Sequence, residues 1–156
     1  MKPFEVKLVL PVVVPLLEVV KELAVGLKHS HAATPELPGT DVIFRDLWKG
    51  ELLLGQNEDL TTLLELFDDE FLKEGVVTFD EDNAELIIRA CSAVRLRLRE
   101  RYLQVLGDEA LETGEVELAK LTEATRKAFM CYLFLATLQE LIIQRIEGTL
   151  LPPDLH

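Results

Sequence analysis

Positive charge is scarce in this 156-residue chain: 16 Lys and Arg stand against 28 Asp and Glu, a formal net charge of −12. A surface of that sign repels phosphate backbones and anionic bilayers. It excludes sequence-independent binding to DNA or RNA and gives no purchase on a membrane surface. Aromatic residues make up 6% of the chain, so the core has to be built from aliphatic helix packing. Cys91 and Cys131 both lie inside apolar helical patterns. They read as small core hydrophobes, and so low a count suits a reducing compartment.

Catalytic and metal-binding signatures are missing as well. His29 and His31 form a His-x-His pair, but it sits in a loop-like stretch with Pro35 and Pro38, and the remaining histidine is His156. No third ligand stands at metal-binding spacing. The acidic runs Asp68, Asp69, Glu70 and Asp80, Glu81, Asp82 lack the glycine and the twelfth-position Glu of a calcium loop, and read as helix N-terminal charge. There is no phosphate-cradling glycine loop, no Gly-x-Ser-x-Gly and no cysteine with a nearby histidine, so a hydrolase or kinase has no residue to start from. No catalytic residue, no metal and no cofactor is expected. The apolar stretch 8–17 is interrupted by Pro11 and Pro15, preceded by Glu5 and followed at once by amphipathic helix, unlike a secretory signal. The stretch 128–138 is too short to span a bilayer. The expected location is cytoplasmic.

What the chain does have is helical periodicity over most of its length. The expected fold is mainly α: a compact bundle of about five helices in a single domain over residues 1–156. Residues 4–10 alternate as a short strand, and the run 75–79, Gly-Val-Val-Thr-Phe, is a second one. If 4–10 pairs with 76–79, the ribbon must rest on the helices, because two strands are not stable alone. Between them a helix opening at Pro15 runs to Lys28, and a loop follows over 29–40. Next come segments 41–54 and 57–74, either two helices with Asn57 capping the second or one bent helix. Two long helices then dominate, about 81–106 and about 122–147, each spanning about 39 Å at 1.5 Å per residue. The acidic connector 107–121 makes an antiparallel pair of them. Thr78 with Glu81 matches a capping box for the first, with Asp80 the competing cap.

That first long helix carries Arg89, Arg95, Arg97, Arg99 and Arg101. At 100° per residue Arg99 lies about 40° from Arg95, Arg97 about 200° and Arg101 about 240°. The arginines therefore form two pairs on nearly opposite sides rather than one basic stripe. Arg95 falls inside the apolar arc of Ala84, Ile87, Ile88, Cys91, Val94 and Leu98. An arginine there has to be paired and hydrogen-bonded, which places carboxylates beside it. In the last helix Gln139 and Glu140 point into apolar arcs. Antiparallel pairing sets residue 89 level with residue 139 and makes Arg89–Glu140 the expected interhelical ion pair.

The function these features favour is a non-catalytic protein-interaction or structural module. A homodimer or a partner protein would cover the last helix, which is apolar almost all round. The alternative is a small-molecule binder that holds an anionic ligand in a pocket near Arg95, with Arg99, Tyr102 and Gln139 as further anchors. An enzyme of unrecognised class is the third reading.

Overall fold

The computed structural model describes residues 3–29 and 42–150, and the side chains of these apart from 42–46, 48, 149 and 150. His31, His156 and most of the 29–40 loop lie outside the described residues. In chain order the elements are β1 (Phe4–Lys7), α1 (Leu10–Leu27), α2 (Val42–Glu65), α3 (Asp69–Glu74), β2 (Val76–Phe79), α4 (Glu81–Arg101), α5 (Asp108–Thr113), a 3₁₀ turn (Leu118–Lys120) and α6 (Glu123–Leu150). The fold is mainly α with one antiparallel two-stranded ribbon, β1 against β2.

The alternation of β1 and β2 sets the ribbon's register. Phe4 pairs with Phe79 and Val6 with Val77, so Val6, Val77 and Phe79 turn into the core together, and the Phe4 and Phe79 rings meet at 5.5 Å. The first strand stops at Lys7 rather than at 10, because Leu10 already opens α1. Pro11 fills the first turn of that helix, where its fixed φ helps and its missing N–H costs nothing. Pro15, expected as the starter, lies inside α1 and there removes one backbone hydrogen bond.

Gly75 joins α3 to the ribbon. Its φ is 75°, and its N–H donates to the Phe71 carbonyl as a left-handed cap. Its own carbonyl accepts from the Leu8 N–H at 2.7 Å. A Cβ at this position would stand 2.7 Å from the Leu8 carbonyl oxygen.

The segments 41–54 and 57–74 fold as one long helix, α2, followed by the short α3. Asn57 is therefore not a cap but an interior residue. Gln56 and Asn57 both reach back to α1: Gln56 Nε2 donates to the Leu27 carbonyl at 2.7 Å and Asn57 Nδ2 to the Lys28 carbonyl at 3.5 Å. These are carbonyls that the end of a helix leaves without partners. At α4 the capping box is made by Asp80 and Asn83. Thr78 is committed to the ribbon, opposite Glu5. The helix ends at Arg101, not 106, since Tyr102 leaves helical geometry (φ −123°) and Leu103 is then wholly buried. The connector folds into α5 and the 3₁₀ turn, and α6 continues through Gly148.

α4 is the central element and packs against α2, α6 and α1. Its Ile87, Ala90, Cys91, Val94 and Leu98 are shut off from water. α6 contributes Phe129, Cys131, Leu135, Leu138 and Ile142 to the same core. Among its described side chains only Met130 is a large exposed hydrophobe, while Leu133, Phe134, Leu141 and Ile146 are partly buried. Over Glu123–Gly148 this helix has the length and composition to cross a membrane, which the shorter stretch 128–138 does not. The long pair is antiparallel: Ile88 and Ser92 meet Gln139, while Arg95 reaches back to Tyr132.

Replacing Gly75 with Ala should destabilise the fold by about 1–3 kcal/mol, the cost of a left-handed backbone without glycine together with a displaced Leu8 carbonyl. Urea unfolding checks this, and an unchanged midpoint would remove the argument.

Candidate binding site on the exposed face of α4

Arg95 projects from α4 towards α6. Its Nη1 donates to Gln139 Oε1 at 2.7 Å and its Nη2 to the Tyr132 hydroxyl at 3.1 Å. The guanidinium carbon lies 4.5 Å from the centroid of the Tyr132 ring, within range of a cation–π attraction. The expected carboxylates are not there: among the described residues none forms an ion pair with Arg95. The physical reason is that this side chain is only half-buried. It keeps part of its hydration, and the amide, the phenol and the ring face supply the rest. Its Nε–H is buried with no acceptor.

Gln139 is the hinge of this network. It is 6% exposed. Its amide nitrogen donates to the Ile88 carbonyl at 2.8 Å and to Ser92 Oγ at 2.7 Å. With the NH₂ group committed to two acceptors, Oε1 has to face Arg95. The polar residue in the apolar arc of α6 is thus consumed by α4, as a satisfied buried amide should be.

The other arginines are disposed differently. Arg89 does not meet Glu140. Its Nε and Nη2 donate to the two carboxylate oxygens of Asp59 at 3.1 and 3.0 Å, and Nη1 to Glu85 at 2.9 Å. The Asp59 hydrogen bond raises the Arg89 pKa, against the opposing effect of desolvation. Glu140 is exposed and accepts from Gln144 instead. The longitudinal level of Arg89 was readable, but the side chain leaves α4 towards α2 rather than α6. Arg99 pairs with Asp108 of α5. Tyr102 packs part-buried against the core and does not line the clefts described next. Arg97, about 200° round α4 from Arg95, is buried. Ala90 and Ala93 share its arc, and small residues there were the available sign that a second helix lies close.

Along α4, Ile88, Ser92, Leu96 and Arg99 form a face only partly covered. Four adjoining clefts meet on it. One of ≈ 470 Å³ runs between this face and Leu52, Gly55, Gln56 and Asp59 of α2. Another of ≈ 480 Å³ lies between Ala84, Glu85 and Ile88 and the α6 residues Ile143, Ile146 and Glu147. A third of ≈ 250 Å³ is enclosed by Ser92, Arg95, Leu96, Arg99 and Tyr132. The fourth, of ≈ 440 Å³, lies beyond Leu96 and Arg99 towards Leu106 and Asp108. The structure thus brings Arg95, Arg99 and Gln139 together and leaves Tyr102 out. It adds Ser92 and Tyr132, which sequence reasoning passed over because a serine and a tyrosine at helical spacing look like any half-buried positions.

Neither cysteine offers reactivity. Burial pushes both thiols up to about 12, with Arg95 opposing the shift at Cys91 and Lys127 opposing it at Cys131, so both are protonated and poor nucleophiles near neutral pH. Among the described residues no three His, Cys, Asp or Glu side chains gather to hold a metal.

The family described as a domain of unknown function, DUF2017, matches residues 31–146. The chain belongs to that family. The match takes in α2 to α5 and most of α6, hence the whole exposed face of α4. β1 and α1 precede the matched stretch yet supply Val6, Leu16, Leu17, Leu23 and Leu27 to the same core. No curated protein and no solved structure matches the chain.

The repartnering of Arg89 has a measurable consequence. Arg89→Ala strands a buried carboxylate on α2 and should cost about 1–3 kcal/mol, whereas Glu140→Ala should stay within about 0.5 kcal/mol of the wild type. Urea unfolding of the two variants compares them directly, and equal costs would contradict the Arg89–Asp59 assignment.

Proposed function

We propose that the protein is a non-catalytic, cytoplasmic interaction module whose exposed α4 face receives an amphipathic helix from a partner protein. The observation that carries this reading is the continuity of the clefts. The cleft against α2 shares Ile88 with the one against the end of α6 and shares Ser92 and Leu96 with the one at Arg95, so that the three run together as one trough along much of α4. Its apolar surface comes from Leu52, Ile88, Ala93, Leu96, Ile143 and Ile146. An apolar groove with charged edges is the shape that accepts a helix through anchors at i, i+3, i+4 and i+7.

Charge distribution describes the occupant. Glu81, Glu85 and Glu147 edge one end of the trough, Glu51, Asp59 and Arg89 its middle, and Arg95 and Arg99 the other end, with Glu100 and Asp108 beyond them. A fitting helix is basic where it meets the first end and acidic where it meets the second. A second copy of this chain is the poorer occupant, because it would add another −12 and the two would repel.

A photo-reactive amino acid at Leu96, introduced in cells, tests the reading, with the same group at Leu118 as an exposed control on the 3₁₀ turn. The expected result is a discrete heteromeric adduct from position 96 and none from 118, with the crosslinked partner peptide amphipathic and helical in pattern. An adduct between two copies would replace the partner with a homodimer. No adduct at 96, or equal labelling at 118, would overturn the proposal.

A further inference from the structure

The end of the trough at Arg95 has a chemistry of its own. Each polar side chain that lines the ≈ 250 Å³ cleft has an N–H or O–H to donate. Ser92 Oγ accepts from Gln139 and the Tyr132 oxygen accepts from Arg95. Each hydroxyl's own proton has no acceptor among the described residues. Arg95 has used two of its N–H groups on Gln139 and Tyr132, and a guanidinium has about five to give. Arg99 supplies a second guanidinium at the mouth. Water can satisfy such an array, but only an anion also balances the charge.

We propose that Ser92, Arg95 and Tyr132 form a carboxylate-binding site. Charge selects the carboxylate from other oxyanions. Arg99 is already neutralised by Asp108, which leaves one uncompensated positive charge, at Arg95. A carboxylate brings one negative charge in a planar form that a guanidinium meets well. Phosphate near neutral pH brings up to two, into a chain already at −12. The volume suits an end group rather than a whole cofactor, since pockets that enclose a small molecule run from about 300 to 1,000 Å³. The polar wall is fixed in advance. Gln139 is held by Ile88 and Ser92, and in turn holds the Arg95 fork, so little ordering remains to be done on binding. The site does not depend on the trough's holding a helix; the carboxylate is either a free small molecule or a side chain of the helix proposed above.

Side-chain and backbone NMR of the full chain at constant ionic strength, with chloride as balancing ion, distinguishes these cases. Sodium acetate should shift the Arg95 Nε–H, Ser92 and Tyr132 signals saturably, at least threefold more tightly than inorganic phosphate does. Arg95→Gln should abolish the saturable shift. Ser92→Ala, which removes one hydroxyl of the site and one of the two acceptors that hold Gln139, should weaken acetate binding at least threefold while preserving the spectrum of the core. A capped amphipathic peptide with a leucine stripe, lysines at one end and a single glutamate at the other supplies the second arm. If it binds at least tenfold more tightly than acetate and loses that advantage in Arg95→Gln, the carboxylate comes from a partner helix. If it binds no better than acetate, the carboxylate site stands as a small-molecule site and the helix reading falls. Peptide binding indifferent to Arg95→Gln, together with acetate binding indifferent to it, would leave the trough and overturn the carboxylate site. So would the lack of any saturable acetate shift, or phosphate binding more tightly than acetate.

Discussion

A guanidinium partly withdrawn from water needs acceptors, and α4 places one at the seam with α6. Neutral groups meet it there: one amide oxygen, one phenol oxygen and one ring face. The arrangement ties three successive features into one network. Gln139 must be held by Ile88 and Ser92 for its oxygen to face Arg95, so the register of the two long helices and the orientation of the arginine are set together. A slip of α6 against α4 would strand the Arg95 donors and the buried amide at once. Unsatisfied buried polar groups cost far more than a typical hydrogen bond returns, which makes the network a specifier of register.

The opposite flank of α4 uses the other solution. Arg89 lies on α2's side and meets a buried carboxylate, Asp59, through two hydrogen bonds. One helix therefore carries a charge-compensated arginine towards α2 and an uncompensated one towards α6. This difference, more than the number of arginines, gives the exposed face its polarity. The trough between the two flanks has an apolar floor of Ile88, Ala93 and Leu96 and carries the uncompensated Arg95 at one end, in an otherwise strongly acidic molecule.

Much of this was legible in the sequence where local pattern decides. Alternation at Phe4 and Val6 and at Val77 and Phe79 announced a ribbon, and the pairing follows that alternation. Equal helix lengths around an acidic connector led to antiparallel packing, with residue 89 level with 139; the observed contact is 88 with 139. The apolar arc located Arg95 at the seam. What could not be read is what tertiary packing decides. Asp59 becomes the partner of Arg89 only because α2 lies along that flank of α4. The stripe of Gln56, Asp59 and Leu63 at helical spacing hinted that polar groups face inward there. Asn57 looks like a cap until the end of α1 is brought against it. Pro11 and Pro15 are both acceptable helix openers, and the choice fell to Pro11 because the ribbon ends at Lys7. Arg97 and Ala90 share one arc of α4, and both are buried, which only tertiary packing decides.

The central claim is that Arg95 is fixed by a neutral amide of α6 rather than by a carboxylate. A double-mutant cycle between Arg95 and Gln139, using Arg95→Met and Gln139→Met and the double variant in urea unfolding, addresses it most directly. The account predicts a coupling of about 1–3 kcal/mol, in the range of hydrogen bonds to a charged group. Additivity to within about 0.3 kcal/mol, as for residues that do not touch, would contradict it.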